Sequence, residues 1–217
     1  MEEKQVPYEF RKVDLSAKPS DFVAAYRSVN SNPNAKPKVP IVRTADNYTM
    51  IESDVVAEYL SERFPNRGSQ LMPALPEQRA HVRLLAAVFD QTIGSSGFAY
   101  LHTSGREELT KQRNVLQNHL QVLNTFLERH GSGEGPFLCG ANFSLAEVHA
   151  APNLQRLSVL LPRLSKLNVL GLCKKLRLHR LQSWWEAIVA RPSVIATGVA
   201  EEDLVESYRR MLAKPAS

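Results

Sequence analysis

Two short clusters carry the residue types best suited to chemistry. Lys38, Val39 and Pro40 open one apolar run, Val39-Pro40-Ile41-Val42, and Glu52-Ser53 follow the next, Tyr48-Thr49-Met50-Ile51. A proline can take the first position of a strand but not its hydrogen-bonded interior, so Pro40 marks the point where a loop becomes a strand. Asp46-Asn47 supply turn chemistry between the runs. After Ile51 the hydrophobic period changes: Val55, Val56, Tyr59 and Leu60 fall on one helical face, which puts a helix start at Glu52-Ser53. A helix start offers unpaired N–H groups and the positive end of a dipole, and a serine there can hold a carboxylate with its hydroxyl and backbone together. Ser53 by itself is equally a plain helix cap, and Val-Pro by itself a common strand entry. Together, in this order on one hairpin, the two clusters describe a corner able to grip a peptide.

The elements that must position this corner alternate strand and helix. Tyr8-Glu9-Phe10-Arg11-Lys12-Val13 alternates apolar and polar positions and is predicted as a strand; Asp21 to Val29 places Phe22, Tyr26 and Val29 on one side and is predicted as a helix. Turn residues from Pro65 to Pro76 then separate a first domain, 1–65, from a helical domain, 77–217. In the second domain Glu77 to Leu101 carries Leu84, Leu85, Val88 and Phe89. Arg106 to His130 carries Leu116, Leu120, Leu123 and Leu127 at spacings of four and three, which predicts two long helices side by side. Gly131 to Gly135 lacks the Lys-Ser or Lys-Thr of a phosphate loop and reads as a flexible connector. Ser144 and Glu147 form a capping box, with Phe143 placed to staple onto Val148.

The whole pattern resembles a cytosolic glutathione transferase. The residues that carry the resemblance are Asn32-Pro33, Lys36-Pro37-Lys38-Val39-Pro40 and Ile51-Glu52-Ser53-Asp54. The capping box, Ser183-Trp184-Trp185-Glu186-Ala187-Ile188-Val189 and Arg191-Pro192-Ser193-Val194 extend it. With Glu202 to Met211 as a final helix, it covers nearly the whole chain. It implies an α/β plus all-α fold: a thioredoxin-like N-terminal domain, incomplete at its start, followed by a helical-bundle C-terminal domain. It implies a cis bond before Pro40, with the Val39 backbone meeting the cysteinyl backbone of glutathione in the manner of an added strand. Glu52 and Ser53 would take the γ-glutamyl carboxylate and amine, and Lys38 the glycyl carboxylate.

The reaction the resemblance implies is attack of the glutathione thiolate on a small electrophilic substrate, as in detoxification, or thiol exchange. Glutathione is then a co-substrate, the protein a cytoplasmic homodimer, and the substrate pocket an apolar space between the domains touched by Phe89, Phe98 and Tyr100. Each of these three is also a natural core residue. Met1 to Phe10 reads like the end of the family's first helix and its second strand. The Ser, Tyr or Cys that acts on the glutathione sulfur therefore has no match in this chain, and impaired activity is expected. Tyr8 opens a strand and is not assigned that role. The competing expectation is a non-catalytic protein-interaction module of the same fold.

Composition agrees with this reading. The chain has 217 residues, is 43% hydrophobic and carries a net charge of +5, with acidic residues interspersed through much of it, which favours anionic ligands without requiring nucleic acid. The basic run Lys174, Lys175, Arg177, His179 and Arg180 is broken by leucines and reads as a solvated helix face. Cys139 and Cys173 are far apart, which suggests neither a disulfide framework nor a redox pair and fits a reducing compartment. No histidines sit at helical metal-ligand spacing and no apolar run reaches membrane-spanning length, so neither a metal nor a membrane is expected as a partner.

Overall fold

In the computed structural model, residues 1–132 and 134–213 are described; Gly133 of the glycine connector and residues 214–217 lie outside them. The chain divides into two compact units, Met1–Gln70 and Leu71–Ser217.

The first unit is built around one short hairpin. Helix α1, Ser20–Arg27, buries Phe22 and Tyr26 and leaves Val29, beyond its end, exposed. Strand β1, Ile41–Arg43, pairs antiparallel with β2, Thr49–Ile51, in the register Ile41 to Ile51, Val42 to Met50 and Arg43 to Thr49. The connection turns at Asn47, whose φ of 64° is a left-handed conformation that asparagine tolerates better than most residues. Thr44 N–H donates to the Tyr48 carbonyl at 2.9 Å and closes the loop. Helix α2, Ser53–Arg63, lays Val56 and Leu60 on Met50, forming a small apolar cluster that Val42, Tyr59 and Phe64 border.

The strand expected at Tyr8–Val13 does not form: these residues have no regular secondary structure. Their alternation is real, but a strand is defined by the neighbour that satisfies its N–H and C=O groups, and the sheet described here has two strands only, both elsewhere. Phe10 is consequently 79% exposed, and the Tyr8 hydroxyl donates to the Glu2 carboxylate at 2.9 Å. Residues 2–4 form a single 3₁₀ turn instead, clasped to residues 68–69. Ser69 N–H donates to the Glu3 carbonyl at 2.7 Å, and the nearly fully buried Lys4 ammonium donates to the Ser69 carbonyl at 2.9 Å.

The second unit is helical. It runs α3, Pro76–Phe89; α4, Ser95–His102; α5, Arg106–His130; α6, Leu145–Ser165; α7, Val169–Lys175; α8, His179–Val189; α9, Pro192–Ala196; and α10, Glu201–Leu212. Leu116, Leu120, Leu123 and Leu127 of α5 are fully buried, as the four-three spacing requires. They meet Leu85 and Phe89 of α3, Leu154 and Leu157 of α6, and Trp184, Trp185 and Ile188 of α8 in one continuous core.

The helix expected over Glu77–Leu101 is interrupted. Residues Asp90–Gly94 form a π-helical turn between α3 and α4. Its hydroxyls compete with the regular backbone ladder: Thr92 Oγ1 donates to the Val88 carbonyl, and the hydroxyls of Ser95 and Ser96 both donate to the Thr92 carbonyl. Asp90 reaches across to α6, its Oδ1 lying 2.8 Å from His149 Nε2.

The basic run is not one solvated helix face either. It bends at Arg177, which has φ 57°, and Arg180 turns inward to donate to the carbonyls of Pro136 and Phe137 at 2.5 and 2.7 Å. Burial lowers the Arg180 pKa, and these two carbonyls are what hold its guanidinium there.

Candidate functional site

The hairpin register builds the corner. The last pair, Ile41 with Ile51, leaves Pro40 just before β1 and Glu52-Ser53 just after β2, at the same end of the hairpin. The Val39–Pro40 peptide bond is cis. Val39 is half exposed, and its N–H and C=O enter no backbone hydrogen bond among the described residues.

On the other side, Glu52 has φ 69° and ψ 117°, an uncommon conformation for a residue with a side chain. That reversal turns the chain from β2 directly into α2. The first helical hydrogen bond runs from Val56 N–H to the Glu52 carbonyl at 3.0 Å, which leaves the N–H groups of Ser53, Asp54 and Val55 outside the helical ladder. Ser53 is exposed, and its hydroxyl has no partner among the described residues. Lys38 is exposed and, among the described residues, unpaired on the approach to Pro40. The corner therefore presents hydrogen-bond donors, one serine hydroxyl and one ammonium around the entry to β1. The carboxylate of Glu52 is its natural partner for an amine. The Asp54 carboxylate in the first turn of α2 adds negative charge beside the same N–H groups.

The aromatic candidates lie in the second unit. Phe89 is fully buried, its ring packed near His149 and Trp184. Phe98 is partly buried with its ring 6.3 Å from that of Tyr208. Tyr100 lines a cavity shared with Arg113, Lys166 and Lys175, a cationic setting rather than an apolar one.

Neither thiol resembles a nucleophile. Burial raises the Cys139 pKa and pushes that of Cys173 up to about 12, which disfavours the thiolate in both.

Residues 1–63 match the family model described as "Glutathione S-transferase, N-terminal domain". The chain is 27% identical over 210 residues to the rice protein named "Probable glutathione S-transferase DHAR1, cytosolic", spanning 96% of this chain and 84% of that one. Over its first 63 residues the chain matches that family's N-terminal domain, and it resembles glutathione transferases along nearly its whole length. Its fold is also that of a Tau class glutathione S-transferase from mango, with a TM-score of 0.75 at 20% identity over 98% of this chain and 90% of the other. A rice GST1 structure solved in complex with glutathione gives a TM-score of 0.74 at 22% identity, covering 98% and 88%. The architecture is accordingly a thioredoxin-like N-terminal domain followed by a helical domain.

Two features of the structure were not legible in the sequence. The positive φ of Glu52 carries no composition signal, because glycine or asparagine would be the expected residue there. The cationic cavity assembles side chains more than 70 positions apart, from Tyr100 to Lys175, which no local pattern connects.

Proposed function

We propose that this chain binds glutathione at the corner formed by Val39–Pro40 and Glu52–Ser53, in the service of glutathione transfer to small electrophiles or of thiol exchange. The observation that carries the reading is the hairpin, whose register puts the entry to β1, where Val39 makes no backbone hydrogen bond among the described residues, at the same end as the start of α2. Val39 N–H and C=O would pair with the cysteinyl backbone, and the Ser53 hydroxyl and the α2 N–H groups would hold the γ-glutamyl carboxylate. Glu52 would take the γ-glutamyl amine and Lys38 the glycyl carboxylate. The match to the N-terminal domain model supports the ligand class, and the rice relative's printed name supports a cytosolic setting, while two other relatives are named chloroplastic. Homodimerisation is part of the proposal.

The test is isothermal titration of glutathione into the wild-type chain and Ser53→Ala. A hydrogen bond to a charged group contributes about 1.5–3 kcal/mol, so the variant should bind at least about tenfold more weakly. Equal affinity for both chains would remove Ser53 from the site.

The second reading, a non-catalytic module, is favoured by one observation. The Tyr8 hydroxyl is occupied by Glu2, and both cysteines are in the second unit. Turnover of a chromogenic electrophile at the background rate, with glutathione binding intact, would select it.

A further inference from the structure

At the end of α6 the chain makes a left-handed turn at Lys166, φ 57°. Beside that turn is a cavity of about 280 Å³. Its polar lining comes from four helices: Tyr100 of α4, Arg113 of α5, Ser165 and Lys166 at the end of α6, Asn168 before α7 and Lys175 within it.

Three cations surround this small volume and no carboxylate lines it. Arg113, Lys166 and Lys175 have no ion-pair partner among the described residues. Cations on the same helices elsewhere do: Lys111 of α5 lies 3.0 Å from Glu107, and Arg163 of α6 lies 3.7 Å from Glu201. The difference is written in the sequence. No Asp or Glu occurs between Glu147 and Glu186, so along most of α6, all of α7 and the start of α8 the cations have no acidic neighbour in sequence, and Arg163 finds its partners on α10. On α5 the residues three and four away from Arg113, namely Leu109, Thr110, Leu116 and Gln117, are uncharged.

Two of the uncharged groups can donate too, whereas the Ser165 hydroxyl is committed to the Leu161 carbonyl at 2.6 Å. The Asn168 Oδ1 already accepts the Gly171 N–H at 2.8 Å, which leaves its NH₂ to donate, and the Tyr100 hydroxyl has no partner among the described residues. The carbonyl end of α6 opposes this field with a charge equivalent to about half a unit, against three full positive charges. Like charges around one small volume repel, and an anion bearing several negative groups relieves all of them at once.

We propose that this cavity binds a small polyanion, a free molecule carrying at least two carboxylate or phosphate groups. The site lies wholly within the helical unit and does not depend on the glutathione reading.

The experiment titrates pyrophosphate and citrate separately into the full chain at matched ionic strength, with acetate as the monoanion reference. At least one polyanion should bind ten times more tightly than acetate or better, and which one it is assigns phosphate or carboxylate chemistry. Lys166→Gln combined with Lys175→Gln should weaken that binding at least tenfold, while Lys12→Gln, an exposed cation of the first unit, leaves it unchanged. Arg113→Gln, on an exposed helix surface, should weaken it as well and serves if the left-handed position of Lys166 makes the double variant unstable. Glutathione affinity should be the same in all of these chains. The proposal is overturned if neither probe outcompetes acetate, if the cavity variants bind like wild type, or if Lys12→Gln weakens binding equally. It is also overturned if only long-chain polyphosphate binds, which would make the surface a polymer site.

Discussion

Glu147 shows how far one side chain can be committed. Its carboxylate has no exposed surface and accepts four hydrogen bonds: Oε1 from Leu138 N–H at 2.9 Å and Trp184 Nε1 at 2.8 Å, Oε2 from Ser144 N–H at 2.8 Å and Ser144 Oγ at 2.5 Å. The capping box read from sequence is therefore half of its work; the other half ties the 137–142 turn and α8 to the start of α6. Glu147→Ala strips the partner from two buried backbone N–H groups and an indole at once, and should cost about 3–5 kcal/mol in urea unfolding. A loss below about 1 kcal/mol would show that the network is not cooperative.

Lys4 makes the opposite case. It is 1% exposed with one carbonyl partner, and desolvation lowers its pKa below the usual 10.5. The unfolded chain then binds more protons than the folded one between the folded pKa and 10.5, so Lys4 adds stability as pH climbs through that window and loses it as pH falls. The stability difference between wild type and Lys4→Met should accordingly shift towards wild type from pH 8 to pH 10.5. A flat difference would mean that the ammonium is not desolvated.

At the scale of elements, the clasp between residues 2–4 and 68–69 depends on a glycine. Gly68 has φ 53°, and a Cβ there would meet the Glu3 carbonyl oxygen at 2.1 Å and the Lys4 backbone at 2.7 Å. Gly68→Ala therefore combines a left-handed penalty with a backbone clash and should lower stability by about 2 kcal/mol or more, measured as a fall in the urea midpoint. An unchanged midpoint would show that the clasp opens freely.

The elements legible in the sequence were those whose signal is local. The leucine spacing of α5 and the capping box before α6 each set a boundary within the segment itself. So did the period change at Glu52-Ser53. Tyr8–Val13 failed because a strand needs a partner that the alternation cannot name. The π turn failed because Thr92, Ser95 and Ser96 act through hydroxyl-to-carbonyl bonds that hydrophobic periodicity does not register. Within α6, Pro152 and Pro162 would argue for breaks, yet the helix is continuous from Leu145 to Ser165, buried along one side by Leu154, Leu157 and Leu161.

At the scale of the whole molecule, the two units differ in how much apolar surface closes them. The hairpin and α2 share a cluster of Met50, Val56 and Leu60, whereas the helical unit has a core spanning α3 to α10. Local opening should therefore be easier in the first unit. Hydrogen exchange should show α2 amides exchanging before those of α5 and α6, and saturating glutathione should slow α2 by mass action without slowing α5. The fold class and the corner were readable because the family's motifs are contiguous. The cavity was not, because it is a property of packed helices and of a charge imbalance from Glu147 to Glu186.

The measurement that reaches the central claim most directly is amide chemical-shift mapping of the isotopically labelled chain during glutathione titration. Saturable shifts should concentrate at Val39 and at Ser53, Asp54 and Val55, at the entry to β1 and the start of α2, with α5 and α6 unmoved. Shifts confined to other parts of the chain, or none at glutathione concentrations that saturate binding, would contradict the assignment of that corner as the glutathione site.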